Sequence, residues 1–424
     1  MMLVRVNRSE RFGGDHAVAG SIDRADLRHY VFTYDRTCQS ECAVSLTMPV
    51  ETESYPFHEL HPVFQMNLPE GDLRRALVLQ FSKAIPNFDD LDLLDVVGHS
   101  QIGRLRYSNE PIETYVPPQS IKEILHDKGT EGLMQHLLQR YSTVSGVSGV
   151  QPKVLIRDDN GMQGRYTASD ATHIVKTFNP EDFPELAANE YFCMQVAKRA
   201  GLDIPHLRLS DTGNFLVIDR FDRKGDGKYL GFEDFCSLNG LGTSNKYDTS
   251  YEQLAKRIDQ FVDVEYKKQA LETFFTSFVV SCAVQNGDAH LKNFGVLYED
   301  TESPVTLSPT YDIVSTTLYI PADTLALTLG GSKRFPNAKR LHEFGRVHCG
   351  LSNEQTRQVV ERVADAVTET RAGVTQHMSD RPEFKDVGER LLACWDTGLK
   401  MTLSEPPPKP LKAVTPIARG PERV

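Results

Sequence analysis

Ten consecutive residues, Gln285-Asn286-Gly287-Asp288-Ala289-His290-Leu291-Lys292-Asn293-Phe294, hold the densest set of reactive side chains in the sequence. Asp288 and Asn293 stand five positions apart. At that spacing one loop can offer a carboxylate to a hydroxyl proton and an amide oxygen to magnesium, which is what phosphoryl transfer asks of a protein. A second aspartate, Asp312 in Tyr311-Asp312-Ile313-Val314, follows after a predicted hairpin. Hard Mg²⁺ takes one or two carboxylates and fills its remaining positions with phosphate oxygens and water. Lys176 lies in the strand-like run THIVKTF (172–178), fourteen residues before Glu190 in a helical run. A strand lysine held by a helix glutamate is a known grip on nucleotide phosphates. Upstream again lies the Gly/Ser loop Ser145-Gly146-Val147-Ser148-Gly149-Val150-Gln151-Pro152-Lys153. Glycines let backbone approach a phosphate, and successive N–H groups can cradle its oxygens. The loop is not a Walker A motif, which needs GxxxxGK[ST].

Each piece also has a plainer reading. Asn, Gly and Asp favour turns, so 285–294 would serve equally as a polar helix-to-strand connection. The Gly/Ser run fits a hairpin between two strands, and Lys176 and Glu190 fit a solvated surface. Their order along the chain is what joins them: loop, strand lysine, helix glutamate, Asp/Asn loop, second aspartate. Other chemistry-bearing residues stay apart from this set. His58 and His61 in FHELH lack the HExxH spacing of a zinc protease. Seven irregularly spaced cysteines, with Cys38 and Cys42 as an isolated CxxxC pair, read as reduced thiols, neither a disulfide framework nor a zinc site. Trp395, the single tryptophan, reads as core, and the run DRFDR (219–223) as charge-paired structure near a cleft.

The elements that must position these residues follow from periodicity. LVRVN (3–7) and HYVFTYD (29–35) are strand-like, with Gly13-Gly14 as turn material between them. Apolar spacing predicts helices over 72–85, opened by Gly71-Asp72, and over 120–142. Strands are expected at VLIR (154–157), THIVKTF, FLVIDRFDR (215–223) and Phe294–Tyr298, and a helix over 184–201 between Pro184 and Gly201. Helical patterns dominate from residue 250: 251–262, 264–286 and 353–373. Strand-rich material thus precedes a mostly helical second half, which predicts two lobes with a cleft between them. Residues 404–424 are rich in Pro and basic residues, lack a packable apolar face, and read as a disordered tail.

Composition sets outer limits. The chain has 424 residues, 40% hydrophobic and 25% charged, which excludes a wholly disordered protein. The longest greasy run, Phe274 to Val284, is too short to span a bilayer, and the N-terminus lacks an apolar signal core, so a reducing cytoplasm and no membrane are expected. The formal charge is −11, and the tail carries net +2, which leaves −13 for the rest. Such a surface is poor for unaided DNA binding. It also requires that attraction for a polyanionic nucleotide be local.

These motifs in this order resemble the HipA-type serine/threonine kinases, the toxin halves of bacterial toxin–antitoxin pairs. The resemblance runs from about residue 17 to 400. It rests on VFQMNLPEG (63–71), VVGHSQIGRL (96–105), SGVQPK (148–153), THIVK, NEYFCMQVAKRAGLDIP (189–205), DRFDR, EDFC (233–236), NGDAHLKNF (286–294) and SPTYDI (308–313). It implies an α+β, two-lobed protein-kinase-like fold with an added N-terminal subdomain: 1–110 as that subdomain, 111–235 as N-lobe, 236–403 as helical C-lobe, and 404–424 as tail. It implies ATP and Mg²⁺ as cofactors and transfer of the γ-phosphoryl group to a protein Ser or Thr. Asp288 would accept the hydroxyl proton, and Asn293 and Asp312 would hold the metal. Lys176, steadied by Glu190, would hold the phosphates, and Ser148, Gly149, Val150, Gln151, Pro152 and Lys153 would lie over them. Glu233, Asp234 and Phe235 would form the hinge that meets adenine. His290, Lys292 and Tyr311 would line the site.

The same resemblance implies growth arrest, with an aminoacyl-tRNA synthetase among the substrates that family members use, and a helix-turn-helix antitoxin of the HipB type as partner. DNA would be reached only through that partner. Family members often phosphorylate a serine of the Gly-rich loop. The gapless match to it here is Gly146, which leaves Ser148 and Ser145 as candidates. The segment Gly98–Arg104 also departs from the usual Gly-x-Asp form. Two other readings remain: a catalytically silent partner or co-repressor, and a small-molecule kinase of the aminoglycoside or choline type, whose loops place a His before the aspartate rather than after it.

Overall fold

A computed structural model describes residues 1–8, 16–26, 29–109, 116–128, 132–147, 151–158, 171–178, 181–224 and 228–403. The chain starts with strands β1 (Met2–Asn7), β2 (His16–Arg24), β3 (Tyr30–Tyr34) and β4 (Tyr55–Phe57), then helices α1 (Pro62–Gln65), α2 (Gly71–Phe81) and α3 (Asp90–Val97), then β5 (Leu105–Tyr107). The strands form one antiparallel sheet in the order β4-β3-β2-β1-β5. Its core joins Val4, Phe32, Phe64, Leu94 and Tyr107. The turn expected at Gly13-Gly14 lies outside the described residues. The strand after it, β2, pairs with both β1 and β3 and was not expected, because HAVAGSIDR breaks its apolar alternation with small and polar residues.

A second sheet follows: β6 (Pro118–Gln119), helices α4 (Ile121–Leu125) and α5 (Leu133–Tyr141), β7 (Lys153–Asp158), β8 (His173–Thr177), helix α6 (Leu186–Arg199), β9 (Leu207–Leu209) and β10 (Phe215–Asp219), in the strand order β6-β7-β8-β10-β9. The helix expected over 120–142 is two helices, and 129–131 between them lie outside the described residues. Side chains alternate across a strand, so each strand serves two faces. Val154, Val175 and Val217 stand opposite one another and pack with Ile121 and Leu137 under α4 and α5. Lys153, Lys176 and Leu216, also in register, face the other way.

The rest is largely helical: β11 (Gly231–Asp234), α7 (Phe235–Leu238), α8 (Tyr251–Phe261), α9 (Lys267–Ala283), β12 (Gly295–Tyr298), β13 (Thr306–Leu307), α10 (Ala338–Val347), α11 (Asn353–Asp380) and α12 (Lys385–Gly398). Helix α9 is apolar on nearly every side and runs through the core, as such a helix must. Phe274, Phe278, Phe344, Val363 and Trp395 join one large cluster with Ala187 and Met194 of α6. Side-chain caps mark several helix starts: Ser250 accepts the Gln253 N–H, and Ser352 forms a reciprocal box with Gln355. Among the described residues no helix is long and apolar enough to cross a membrane. The tail, 404–424, lies outside the described residues.

Polar groups join the N-terminal unit to the remainder. Glu233 of β11 accepts from Ser45 Oγ (2.5 Å), the Leu46 N–H (2.8 Å) and the Tyr298 hydroxyl (2.7 Å). Within the N-terminal unit the Arg104 guanidinium donates to the carbonyls of Glu41 and Ala43, at 2.9 and 2.6 Å, and so fixes the segment that carries Ser45 and Leu46. Arg220 pairs with Asp222 and donates to the Gln101 carbonyl, while Asp222 accepts the Gly103 N–H at 2.7 Å. DRFDR is therefore charge-paired structure: its internal pair Arg220–Asp222 is buried, and Asp219 pairs outward with Arg208.

Candidate active site

A cleft of about 590 Å³ opens between the second sheet, α6 and the helical region. Lys176 enters from β8. Its ammonium donates to Glu190 Oε1 of α6 at 2.6 Å and to Asp312 Oδ1. Burial opposes a charged lysine, but Asp312 and Glu190 outweigh it and hold Lys176 above its usual pKa. Burial likewise works against the Asp312 carboxylate, and Lys176 and Lys153 more than offset it, so Asp312 titrates well below the usual carboxylate range. Lys153, opposite Lys176 in the sheet, is pushed down to about 8 by burial and then by the Lys176 charge. Two lysines side by side on one face would repel in isolation, and the two carboxylates are what make the pair tolerable.

Helix α6 is set by contacts in and before its first turn. Glu185 at its N-cap, with φ +55°, makes a two-pronged ion pair to Arg381 at 3.1 Å. Asn189, one residue before Glu190, exchanges hydrogen bonds with the Ser315 backbone at 3.0 Å through both its amide atoms. The Ser315 hydroxyl accepts from Trp395 Nε1 at 3.1 Å and donates to the Val284 carbonyl at 2.5 Å. The helix glutamate, the Asp312 segment and the end of α9 are therefore tied to one another.

The Asp/Asn loop leaves α9 by a sharp turn. Gln285 takes φ +58°, and Asp288 N–H donates to Asn286 Oδ1 at 2.9 Å. Gly287 is required here: a Cβ would lie 2.6 Å from the Thr324 carbonyl and 2.2 Å from Asp323 Oδ2. Asp288 is half exposed at the cleft and accepts from the Tyr247 hydroxyl at 2.9 Å. Desolvation by the surrounding protein pushes its pKa up to about 6, assisted by Asp312 and Asp323 and opposed by Tyr247 and Lys246. His290 is buried, its pKa driven down to about 3 by desolvation and then by the Lys246 charge, so it is neutral. Asn293 holds the loop by accepting the His290 N–H at 3.0 Å, and its amide nitrogen donates to Asp312 Oδ2 at 3.1 Å. Asp312 has φ +64°, a strained conformation for a residue with a side chain and one that clusters at functional sites. The Tyr311 hydroxyl donates to the Lys292 carbonyl at 2.8 Å, which clips the two loops together.

The residues singled out from the sequence distribute as follows. Gln151, Lys153, Lys176, Glu190, Asp234, Asp288, His290, Lys292, Asn293, Tyr311 and Asp312 all line the cleft. Pro152 is half-buried beside Lys153, and its carbonyl accepts the Thr177 N–H. Ser148, Gly149 and Val150 lie outside the described residues. Two hinge side chains turn away: Glu233 is engaged with Ser45 and Leu46, and Phe235 is in the core. Asp234 lines the cleft while capping α7 through the Ser237 N–H at 2.7 Å. Ser145 is corrected to a structural residue. It is fully buried, donates to the Tyr141 carbonyl at 2.6 Å and accepts the Leu155 N–H at 2.8 Å, so its oxygen is inaccessible as a phosphate acceptor. Gly146 has no room for a side chain, since a Cβ would lie 2.7 Å from the Ser100 carbonyl. Sequence reasoning missed Glu70, Lys246, Tyr247, Asn189 and Asp323. Asn189 adjoins Glu190 and Glu70 ends the run VFQMNLPEG, so position beside known motifs was the available signal for these two; Lys246-Tyr247 and Asp323 come from separate segments with no spacing that ties them to the Asp/Asn loop.

The donor set suits a hard cation carried in by phosphates. Asn293 and Asp312 supply one amide and one carboxylate side by side. Among the described residues no cluster of three or more His, Cys, Asp or Glu is placed to hold a metal by itself, so phosphate oxygens and water would have to complete the shell. Buried polar atoms without partners, Gln151 Oε1, Glu190 Oε2 and His290 Nδ1, belong to residues lining the cleft and are consistent with a polar guest.

The family model of the HipA-like C-terminal domain matches residues 145–371, and that of the HipA N-terminal domain matches 14–108. A Sinorhizobium fredii protein named as a kinase, Y4dM, is 29% identical over 303 residues, covering 67% of this chain and 69% of its own. The serine/threonine-protein kinase toxin HipA of Shewanella oneidensis is 27% identical over 194 residues, 41% of this chain and 43% of its own. A Shewanella oneidensis HipA structure, solved with HipB and operator DNA, superposes with a TM-score of 0.66 at 18% identity and covers 95% of this chain and 98% of that one.

Proposed function

The chain belongs to the HipA-like kinase family, and from that membership we propose that it is an ATP- and Mg²⁺-dependent serine/threonine-protein kinase of the HipA toxin type. The observation that carries the reading is the meeting of Lys176, Glu190, Asp312, Asn293 and Asp288 in one cleft, although Lys176 and Asp312 are 136 residues apart. Lys176, held by Glu190, positions the nucleotide phosphates. Asn293 and Asp312 hold Mg²⁺, whose charge neutralises the phosphate oxygens. Asp288 orients the acceptor hydroxyl and takes its proton. Positioning and charge stabilisation are most of what phosphoryl transfer needs. Asp234, which lines the cleft, and its neighbouring backbone would meet the base.

The acceptor in the cell is a protein Ser or Thr, with a translation protein such as an aminoacyl-tRNA synthetase as the first candidate. Ser148 is the remaining loop candidate for self-phosphorylation, because Ser145 is buried. A HipB-like helix-turn-helix protein is the expected partner, and it supplies the DNA contact that a chain of charge −11 is ill suited to make. The test is intact-mass analysis after incubation with ATP and Mg²⁺. Wild type should gain the mass of one phosphoryl group or transfer it to an added acceptor. Asp288→Ala should do neither while still binding ATP, and undiminished transfer by that variant would overturn the assignment.

A further inference from the structure

The cleft has a wall that the kinase-like elements do not provide. Met66, Asn67, Glu70 and Ile102, all from the N-terminal unit, line it. Among them Glu70 is the charged one, and its position is unusual. It is the N-cap residue of α2, where a carboxylate ordinarily accepts a backbone N–H of its own helix, but here it makes no such bond. Gly71, with φ +55°, turns the backbone so that the side chain leaves the helix and crosses to the other unit. There Glu70 Oε1 accepts from Lys292 Nζ at 2.8 Å and Oε2 from Lys246 Nζ at 3.3 Å. All three side chains are largely buried. Lys292 precedes Asn293 and its carbonyl holds Tyr311. Lys246 precedes Tyr247, whose hydroxyl donates to Asp288.

Two lysine side chains with free rotamers would be poor electrostatic tools, because their charge must be ordered anew at each turnover. One carboxylate between them fixes both and leaves a net positive charge of one beside Asn293, Asp312 and Asp288. We propose, on the reading that this cleft transfers the ATP γ-phosphoryl group, that Glu70 is a positioning residue: the N-terminal unit uses it to fix Lys246 and Lys292 so that their charge is aimed at the transferring phosphate. The N-terminal unit thereby completes the site in addition to packing against it.

Glu70→Gln in the full chain keeps the size of the side chain and removes the charge that holds the lysines. The expected kcat falls about tenfold, while the KM for ATP stays level or drops, because the triphosphate then meets more net positive charge. A purely structural ion pair would change the melting temperature and leave this kcat-against-KM split absent. A double-mutant cycle with Lys292→Met supplies the second readout. If Glu70 acts through the two lysines, the double variant loses less than the sum of the two single losses, because only its hold on Lys246 remains to be lost, whereas fully additive losses overturn the proposal. A Glu70→Gln enzyme with kcat within about twofold of wild type, or one that is faster, also overturns it. Wild type measured in parallel separates the two levels. If it transfers phosphate and the variant matches it, only the role of Glu70 falls. If wild type with Mg²⁺ and ATP transfers nothing to itself or to an added acceptor, the kinase reading falls and this role with it.

Discussion

At the scale of single residues, the cleft is arranged at the expense of folding stability. Asp288 is the plainest instance. Its pKa is raised to about 6 in the fold against an unfolded value of 3.8, so the folded state holds its proton more tightly than the unfolded chain does. Ionising it therefore costs stability as pH rises through that window, and the cost is complete above about pH 6. The side chain is half exposed, so the nominal value of the shift must be cut by solvent screening to about 1 kcal/mol. Asp288→Asn should melt higher than wild type at pH 7.5 without nucleotide, and the gap should shrink by pH 4.5. Melting curves at the two pH values check this, and a variant less stable at pH 7.5 would contradict it. This site was partly legible in the sequence for a physical reason. Asp288 and Asn293 sit in one loop of fixed length, so their spacing encodes their geometry. Glu70, Lys246 and Tyr247 meet only through tertiary packing, which leaves no local pattern to read.

At the scale of elements, periodicity identified the pieces whose burial is one-sided or complete. The helices at 186–199, 251–261 and 267–283 and the strands at 153–158, 173–177 and 215–219 fall where alternation and apolar spacing put them. It missed β2, the three-residue β9, the short buried strands β5 and β11 and helix α3, along with α10 and α12, whose sequences are dominated by polar surface with only a narrow apolar stripe. Yet α12 matters for the site. Its Trp395 reaches Ser315 behind the Asp312 segment, and Gly398 packs directly on the end of α9. A Cβ at 398 would lie 2.0 Å from the Ala283 carbonyl oxygen, and both partners are backbone, so neither can yield cheaply. Gly398→Ala should cost about 3 kcal/mol, at the upper end for overpacking. It should also slow phosphoryl transfer, because α9 ends where the Asp288 loop begins. Urea unfolding with parallel kinetics checks both, and a stability loss below about 0.5 kcal/mol would show that α12 and α9 slide apart easily.

At the scale of the whole molecule, the N-terminal unit and the kinase-like region are joined by buried polar groups as well as apolar contact, and this makes their docking specific. Composition excludes a wholly disordered chain but holds nothing about which faces meet. Glu233 carries much of that join. It is a buried carboxylate with three donors, two from the N-terminal unit and one from Tyr298. Removing it leaves the Tyr298 hydroxyl buried without this acceptor and takes one from the half-buried Leu46 N–H, while the Ser45 hydroxyl keeps Thr47 as a neighbour, a loss of about 3 kcal/mol. Glu233→Ala should therefore lower the urea midpoint and detach the melting of the N-terminal unit from that of the rest, visible as a second transition or as early proteolysis between the units. Because Glu70 reaches the cleft only while the units are docked, the same variant should also lower kcat. That loss should be larger than the direct role of Glu233 predicts, since its side chain faces away from the cleft. A variant that loosens the units but transfers phosphate at the wild-type rate would show that docking and catalysis are independent, and would return the N-terminal unit to a purely structural role.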